Sequence, residues 1–119
     1  MLVVDDEPLI RWSVSETLSD LGCEVEQAAD AAAAVRATSG TARPFDVVVL
    51  DLRLPDMNDL TLLSTLRRTL PGATLVLMTA LGSADIIKDA EALGASVIHK
   101  PFELDALGRL VLGTNTETR

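Results

Sequence analysis

Short apolar runs alternate along the chain with segments whose apolar residues recur at helical spacing. Brief apolar or alternating runs predict strands at Leu2 to Val4, Glu24 to Ala28, Phe45 to Leu50, Thr74 to Met78 and Ser96 to His99. The third run carries four consecutive aliphatic residues, which is typical of a strand that is buried on both faces.

Between these runs the spacing of apolar residues predicts five helices. The first begins at Pro8, whose missing N–H suits a first helical turn, and stops at Gly22. Its predicted buried stripe is Ile10, Val14, Leu18 and Leu21. Asp30 is predicted to cap a second helix that ends at Ala37. The others are predicted from beyond Asn58 to about Leu70, from Ser83 to Leu93, and from about Glu103 to Leu112.

Five strand–helix repeats of this kind predict an α/β fold, a doubly wound parallel sheet with helices on both faces. The 119 residues suit one domain, and no low-complexity segment or internal boundary interrupts them. The polar end, Gly113 to Arg119, is predicted to be a frayed terminus or the start of a linker.

Charge and cysteine content narrow the range of partners. The formal net charge is −8 and no basic run offsets it, so this segment is not expected to bind nucleic acid or anionic lipid directly. Cys23 is the single cysteine, which fits a reducing compartment. Neither a signal peptide nor a membrane-spanning run is recognisable, so we predict a cytoplasmic location without a membrane partner.

Polar residues stand at the predicted carboxyl ends of four strands: the acidic run 5–7, Asp51, Thr79 and Lys100. Each has a common explanation when taken alone; an acidic run before a helix, for example, often only favours the helix dipole. In open parallel sheets, however, ligands lie outside the carboxyl ends of the strands. The four features together therefore predict one shared site.

These residue types suit magnesium-assisted phosphoryl chemistry. Closely spaced carboxylates repel one another, and a divalent cation relieves that repulsion. Mg²⁺ prefers oxygen ligands, typically one or two carboxylates with waters and a phosphate. An ionised aspartate is a nucleophile that needs no general base, the metal neutralises charge during transfer, and lysine and threonine offer donors to phosphate oxygens.

Four segments resemble the receiver domains of bacterial response regulators: Val3 to Glu7, Val49 to Pro55, Met78 to Ala80 and Lys100 to Phe102. The resemblance covers nearly the whole chain, in order. It implies a flavodoxin-like three-layer (βα)₅ sandwich with sheet order 2-1-3-4-5. It also implies that residues 1–113 form the receiver domain and that 114–119 are a polar tail or the start of a linker to an output domain.

The resemblance implies a role for each site residue. Asp51 would accept the phosphoryl group. Asp6 would be the main Mg²⁺-binding acid, with Asp5 assisting partly through water, and Asp51 and the backbone carbonyl of Arg53 would complete the protein's ligands. Mg²⁺ would be the cofactor.

Thr79 and Lys100 would contact the phosphoryl group, and the Lys100–Pro101 peptide would be cis. Two positions depart from the family pattern: Val97 replaces an aromatic residue that commonly swings inward with the threonine, and Asp59 stands where many members have glycine. We therefore expect a switch that works through aliphatic repacking or is weaker, and a differently shaped loop after Asp51.

The resemblance also implies the partners. A sensor histidine kinase would supply the phosphoryl group. An output domain, an effector or a second copy would bind the face formed by the fourth helix, fifth strand and fifth helix, roughly Ser83 to Leu112. The pattern is similar to receivers of NtrC-like transcriptional regulators. This similarity implies a signalling domain with a role in the regulation of transcription, not an enzyme. Leu9 and Trp12 form either part of a kinase-docking patch or a scattered apolar surface pair.

Three other functions fit less well. An aspartate-nucleophile phosphatase of the haloacid-dehalogenase type needs an acid two residues after the nucleophile, where Arg53 stands. A flavodoxin-like flavin module needs a phosphate-binding first loop, and the acidic run 5–7 would repel phosphate. A pseudo-receiver that no longer takes phosphate is disfavoured because all the key side chains are present.

Leu81, two residues after Thr79, is expected to slow hydrolysis of the phosphoryl group, while Ala80 leaves the site open to a donor.

Overall fold

The computed structural model describes residues 1–39, 45–57, 59–80, 84–100 and 103–116. It confirms five alternating strands and helices. The strands are β1 Leu2–Val4, β2 Glu26–Ala28, β3 Val47–Asp51, β4 Thr74–Thr79 and β5 Ala95–His99. The helices are α1 Pro8–Asp20, α2 Ala31–Thr38, α3 Thr61–Thr69, α4 Ala84–Ala92 and α5 Leu104–Thr116.

The five strands form one sheet in the order β2-β1-β3-β4-β5, with every neighbouring pair parallel. In the register, Val4 lies beside Leu50, Asp51 beside Met78, and Thr79 beside His99. The carboxyl ends of β1, β3, β4 and β5 therefore meet at one edge, as the sequence predicted. The predicted fold class and sheet order are both confirmed.

The apolar side chains of the sheet alternate between two hydrophobic cores. Val48 and Leu50 of β3 face a core that includes residues of α2, α3 and α4. Val47 and Val49 face the opposite core, which includes residues of α1 and α5. All five residues of β3 are buried, which confirms that its continuous apolar run reflects burial on both faces.

Two predictions about helices are wrong in detail. Leu21 is 48% exposed rather than part of the buried stripe of α1, because the helix ends at Asp20 and the helical spacing no longer sets its direction. The last helix continues past Leu112 to Thr116. Gly113 is a weak stop, since glycine costs a helix only about 1 kcal/mol relative to alanine and no proline follows it.

Among the described residues, no helix combines the length and the apolar content needed to cross a bilayer.

The predicted stop at Gly94 is confirmed and yields a stability prediction. Gly94 has φ +81°, and a Cβ atom there would lie 3.3 Å from Nη2 of Arg67. Gly94→Ala should therefore lower the free energy of unfolding by about 1–2 kcal/mol in urea denaturation. Gly72→Ala is the control, since a Cβ there meets nothing within 4 Å and its φ is not positive. Equal effects of the two substitutions would contradict the prediction.

Candidate functional site

Asp5 comes directly after β1 and is fully buried. Its N–H donates to the carbonyl of Ala28 at 3.1 Å, which continues the pairing of β1 with β2. Its Oδ1 accepts the N–H of Glu7 at 2.9 Å, and the guanidinium of Arg11 donates to its backbone carbonyl at 2.7 Å. Asp5 is therefore held in place through its backbone and its side chain, whereas Asp6 is exposed.

Asp51 is the last residue of β3 and is 7% exposed. Its Oδ1 accepts the N–H of Arg53 at 3.4 Å. Burial raises the pKa of the Asp51 carboxyl, and the charge of Asp5 adds to this, while the ammonium of Lys100 opposes it. The site thus holds a largely buried carboxylate at the carboxyl edge of the sheet.

Lys100 follows β5 and connects the acids of two other strands. Its Nζ lies 3.1 Å from Oδ2 of Asp5, 3.1 Å from Oδ2 of Asp51 and 3.5 Å from Oε1 of Glu7. Burial alone would lower the pKa of Lys100, but the hydrogen bond and charge of Asp5, together with those of Asp51, outweigh it and raise the pKa. Lys100 is therefore a cation whose charge the surrounding carboxylates maintain.

The carboxylates of Asp5, Asp6, Glu7 and Asp51 each offer an oxygen atom within 4.8 Å of the others. These four acids outnumber Lys100, which bridges three of them. A hard divalent cation such as Mg²⁺ prefers oxygen ligands and would relieve the remaining repulsion. The donor set and the charge of this acidic cluster therefore fit Mg²⁺.

Thr79 is 2% exposed and ends β4. Its backbone carbonyl accepts the N–H of Lys100 at 2.8 Å, so the threonine and the lysine are adjacent at the sheet edge. The structure thus brings together the predicted Asp5, Asp6, Asp51, Thr79 and Lys100. The backbone N–H of Arg53 donates to the carboxylate of Asp51. That the carbonyl of Arg53 binds Mg²⁺ stays a prediction.

Glu7 belongs to the acidic run predicted at the shared site, but the resemblance gave it no role of its own. Its carboxylate shares both the acidic cluster and Lys100. Sequence spacing carries a weak signal at best, because Glu7 directly precedes α1 and an acid there also suits a helix start.

The two departures from the family pattern have structural counterparts. Val97 is partly buried and packs against the core shared with α4, so an aliphatic contact occupies this position. The Oδ1 of Asp59 accepts the N–H of Thr61 at 2.9 Å, and bonds from the hydroxyl and amide of Thr61 lower the pKa of Asp59. Asp59 therefore orders the start of α3. The predictions that involve Asn58, Leu81, Ser83, Pro101 and Phe102 lie outside the described residues.

The fold and the site define a doubly wound α/β domain whose lysine-bridged acidic cluster lies at the carboxyl edge of the sheet, where such domains bind their ligands. Comparison with known proteins identifies the family. The family described as "Response regulator receiver domain" matches residues 1–112, and the chain belongs to that family. Receiver domains bind Mg²⁺ at an acidic pocket, so the family and the acidic cluster agree.

Relatives and solved structures support the same assignment. The chain is 41% identical over 106 residues to the probable transcriptional regulatory protein TcrX of Mycobacterium tuberculosis, covering 88% of this chain and 44% of that protein. It is 31% identical over 110 residues to the DNA-binding transcriptional regulator NtrC of Escherichia coli, covering 92% of this chain and 23% of that protein. The receiver domain of NtrX from Brucella abortus matches with a TM-score of 0.79 and 35% identity, covering 99% and 98% of the two chains.

The chain spans less than half the length of these two curated regulators. It is a receiver domain of the response-regulator type, a signalling domain, and the similarity to NtrC and NtrX agrees with the NtrC-like pattern recognised in the sequence.

Proposed function

We propose that Asp51 accepts a phosphoryl group from a sensor histidine kinase in a Mg²⁺-dependent reaction, and that the change is passed to an output domain that regulates transcription in the cytoplasm. The observation that carries this proposal is the position of Lys100, whose Nζ lies 3.1 Å from both Asp5 and Asp51 inside a cluster of four carboxylates. This arrangement provides a nucleophile, a cation for phosphate oxygens and acids for a metal in one place.

The residues of the chain have separate tasks in the transfer. A carboxylate oxygen of Asp51 forms a bond to phosphorus as the bond from phosphorus to the histidine nitrogen of the kinase breaks, and the electron pair stays on that nitrogen. Asp5, Asp6, Asp51 and the carbonyl of Arg53 would hold Mg²⁺, which supplies charge neutralisation when bound. Lys100 pairs with a phosphoryl oxygen and Thr79 donates a hydrogen bond to another.

Lys100 also offers a route from the site to the surface. A phosphoryl group on Asp51 carries about −1.5 to −2 charges, which attracts the ammonium more strongly than one carboxylate does. The N–H of Lys100 is hydrogen-bonded to the carbonyl of Thr79, so a shift of the lysine also displaces the ends of β4 and β5. We therefore propose that the face of α4, β5 and α5 binds the output domain, an effector or a second copy of the chain.

The kinase is proposed to dock beside the acidic cluster, at α1. Leu9 is 73% exposed and Trp12 is 57% exposed on this helix. They lie three residues apart and therefore on one helix face. Their exposure on one helix face supports the docking patch.

Incubation of the protein with acetyl phosphate tests the proposed function directly. With Mg²⁺, we expect intact-protein mass spectrometry to show the gain of one phosphoryl group, which hydroxylamine removes because an acyl phosphate is labile to it. Chelation with EDTA should prevent the gain. A protein that stays unmodified with Mg²⁺ present would instead support a pseudo-receiver.

A further inference from the structure

The loop between β3 and α3 folds into a tight turn just beyond Asp51. The N–H of Leu54 donates to the carbonyl of Met57 at 2.9 Å, and the N–H of Met57 donates back to Leu54 at 3.2 Å. Pro55 and Asp56 therefore form the tip of the turn. Both tip residues are exposed, so the tip extends away from the core.

The carboxylate of Asp56 binds the beginning of a different helix. Its Oδ1 accepts the N–H of Ala31 at 2.9 Å, and its Oδ2 accepts the N–H of Ala32 at 3.0 Å. These are the first two residues of α2, 25 and 24 positions earlier in the chain. The two backbone bonds lower the pKa of Asp56, so the carboxylate that makes them stays ionised.

The usual capping residue of α2 is present as well. Asp30 accepts the N–H of Ala33 at 2.7 Å, as an N-cap aspartate commonly does. Asp56 takes the two N–H groups that a helix start often leaves to water. The contact of Asp56 is therefore an addition to ordinary capping, and it connects α2 to the loop.

One proposed magnesium ligand, Arg53, lies in this loop, and another, Asp51, ends the strand directly before it. Asp51 lies five residues before Asp56, and Arg53 lies three residues before it. Leu52 and Leu54 are each 6% exposed and fix the inner side of the loop in the core. The contact with α2 fixes the tip, so the backbone around Arg53 is held from both sides.

We propose that Asp56 is a positioning residue for the metal site: by binding the start of α2 it holds the loop that follows Asp51 and carries Arg53 in the geometry that Mg²⁺ requires. This inference rests on the proposed function. Partners that orient metal ligands typically change metal affinity by 10-fold to 100-fold when they are removed. Asp56 acts through the backbone of three residues, so we expect a smaller effect, about 3-fold to 10-fold.

The linkage also works in the opposite direction. If fixing the tip favours Mg²⁺ binding, Mg²⁺ binding must stabilise the contact of Asp56 with α2 by the same factor. The amide signals of Ala31 and Ala32 should therefore respond to Mg²⁺ even though these residues carry no metal ligand. A residue that only stabilised α2 would not produce this response.

The test is a Mg²⁺ titration followed by two-dimensional NMR of the backbone amides in the whole chain. We compare the wild type with Asp56→Ala and Asp56→Asn, and use Asp59→Ala and Asp59→Asn as controls. Asp59 is an exposed aspartate of the same connection whose carboxylate bonds locally, to Thr61. The controls therefore remove the same charge without breaking the contact with α2.

We expect Asp56→Ala to weaken Mg²⁺ affinity about 3-fold to 10-fold and to abolish the response of Ala31 and Ala32. Asp56→Asn keeps one oxygen acceptor and should recover part of the Mg²⁺ affinity and part of the amide response. The Asp59 variants should bind Mg²⁺ with an affinity within about twofold of the wild type. Unchanged affinity in both Asp56 variants, with normal binding by the wild type, would overturn this inference alone. A wild type that binds no Mg²⁺ would overturn the proposed function as well.

Discussion

Asp51→Asn should take up no phosphoryl group from acetyl phosphate and Mg²⁺, or should do so at least about a thousandfold more slowly than the wild type. The amide cannot provide the anionic oxygen that attacks phosphorus, and neither Lys100 nor the neighbouring acids replace it at the same point of the sheet edge. Rates are measured by intact-protein mass spectrometry over time.

Asp46→Asn is the matched control for this experiment. Asp46 is an exposed aspartate just before β3, at the opposite end of the strand from Asp51. The Asp46→Asn variant should accept the phosphoryl group at the rate of the wild type. Rapid, hydroxylamine-sensitive uptake by Asp51→Asn would show that another acid of the site is the phosphoacceptor.

Asp51→Asn should also stabilise the protein at neutral pH without Mg²⁺. Burial, with the charge of Asp5, raises the folded-state pKa of Asp51 above its unfolded value. The ionised carboxylate therefore weakens the folded state as pH rises through the folded-state pKa, and no such cost exists below the unfolded-state pKa. Urea denaturation should show an advantage of Asp51→Asn at neutral pH that disappears in acid. Saturating Mg²⁺, which favours the charged wild type, should reduce it.

Lys100→Met should destabilise the protein by about 2–4 kcal/mol in the absence of Mg²⁺. Asp5 is fully buried and Asp51 nearly so, and both lose the ammonium that lies 3.1 Å away. Methionine keeps much of the apolar stem, so most of the loss comes from unpaired charge rather than from a cavity. Mg²⁺ at saturating concentration should recover a large part of it, because the metal supplies positive charge among the same oxygens.

Lys88→Met, on the exposed side of α4, serves as the control and should change stability by less than about 0.5 kcal/mol. Urea denaturation with and without Mg²⁺ measures both variants. Lys100→Met should still take phosphate, more slowly, but the phosphoryl group should no longer change the NMR signals of α4 and β5. A Lys100→Met protein as stable as the wild type in EDTA would show that the ion pairs contribute nothing to folding.

Local patterns were enough to predict most of the architecture. The aliphatic run of β3 reflects burial on both faces, and Asp30 caps α2. Gly22 and Gly94, both with positive φ, follow the ends of α1 and α4. The location of the site was predicted from one rule, that parallel strands bring their carboxyl ends to the same edge of the sheet. These features depend on neighbouring residues or on the sheet as a whole, so their signals are present in the sequence itself.

Only the tertiary structure decided which charges meet. Lys100 is 95 residues from Asp5 and 49 from Asp51, and the contact of Asp56 with α2 crosses 25 residues. The motifs predicted that these charges share one site, but they do not specify which atoms pair, because that depends on how loops and side chains pack once the sheet is formed. The sequence by itself therefore determined the fold and the chemical types at the sheet edge. The packed structure determined how Lys100 is shared among the acids, that Glu7 joins them, and that α2 supports the loop beside Asp51.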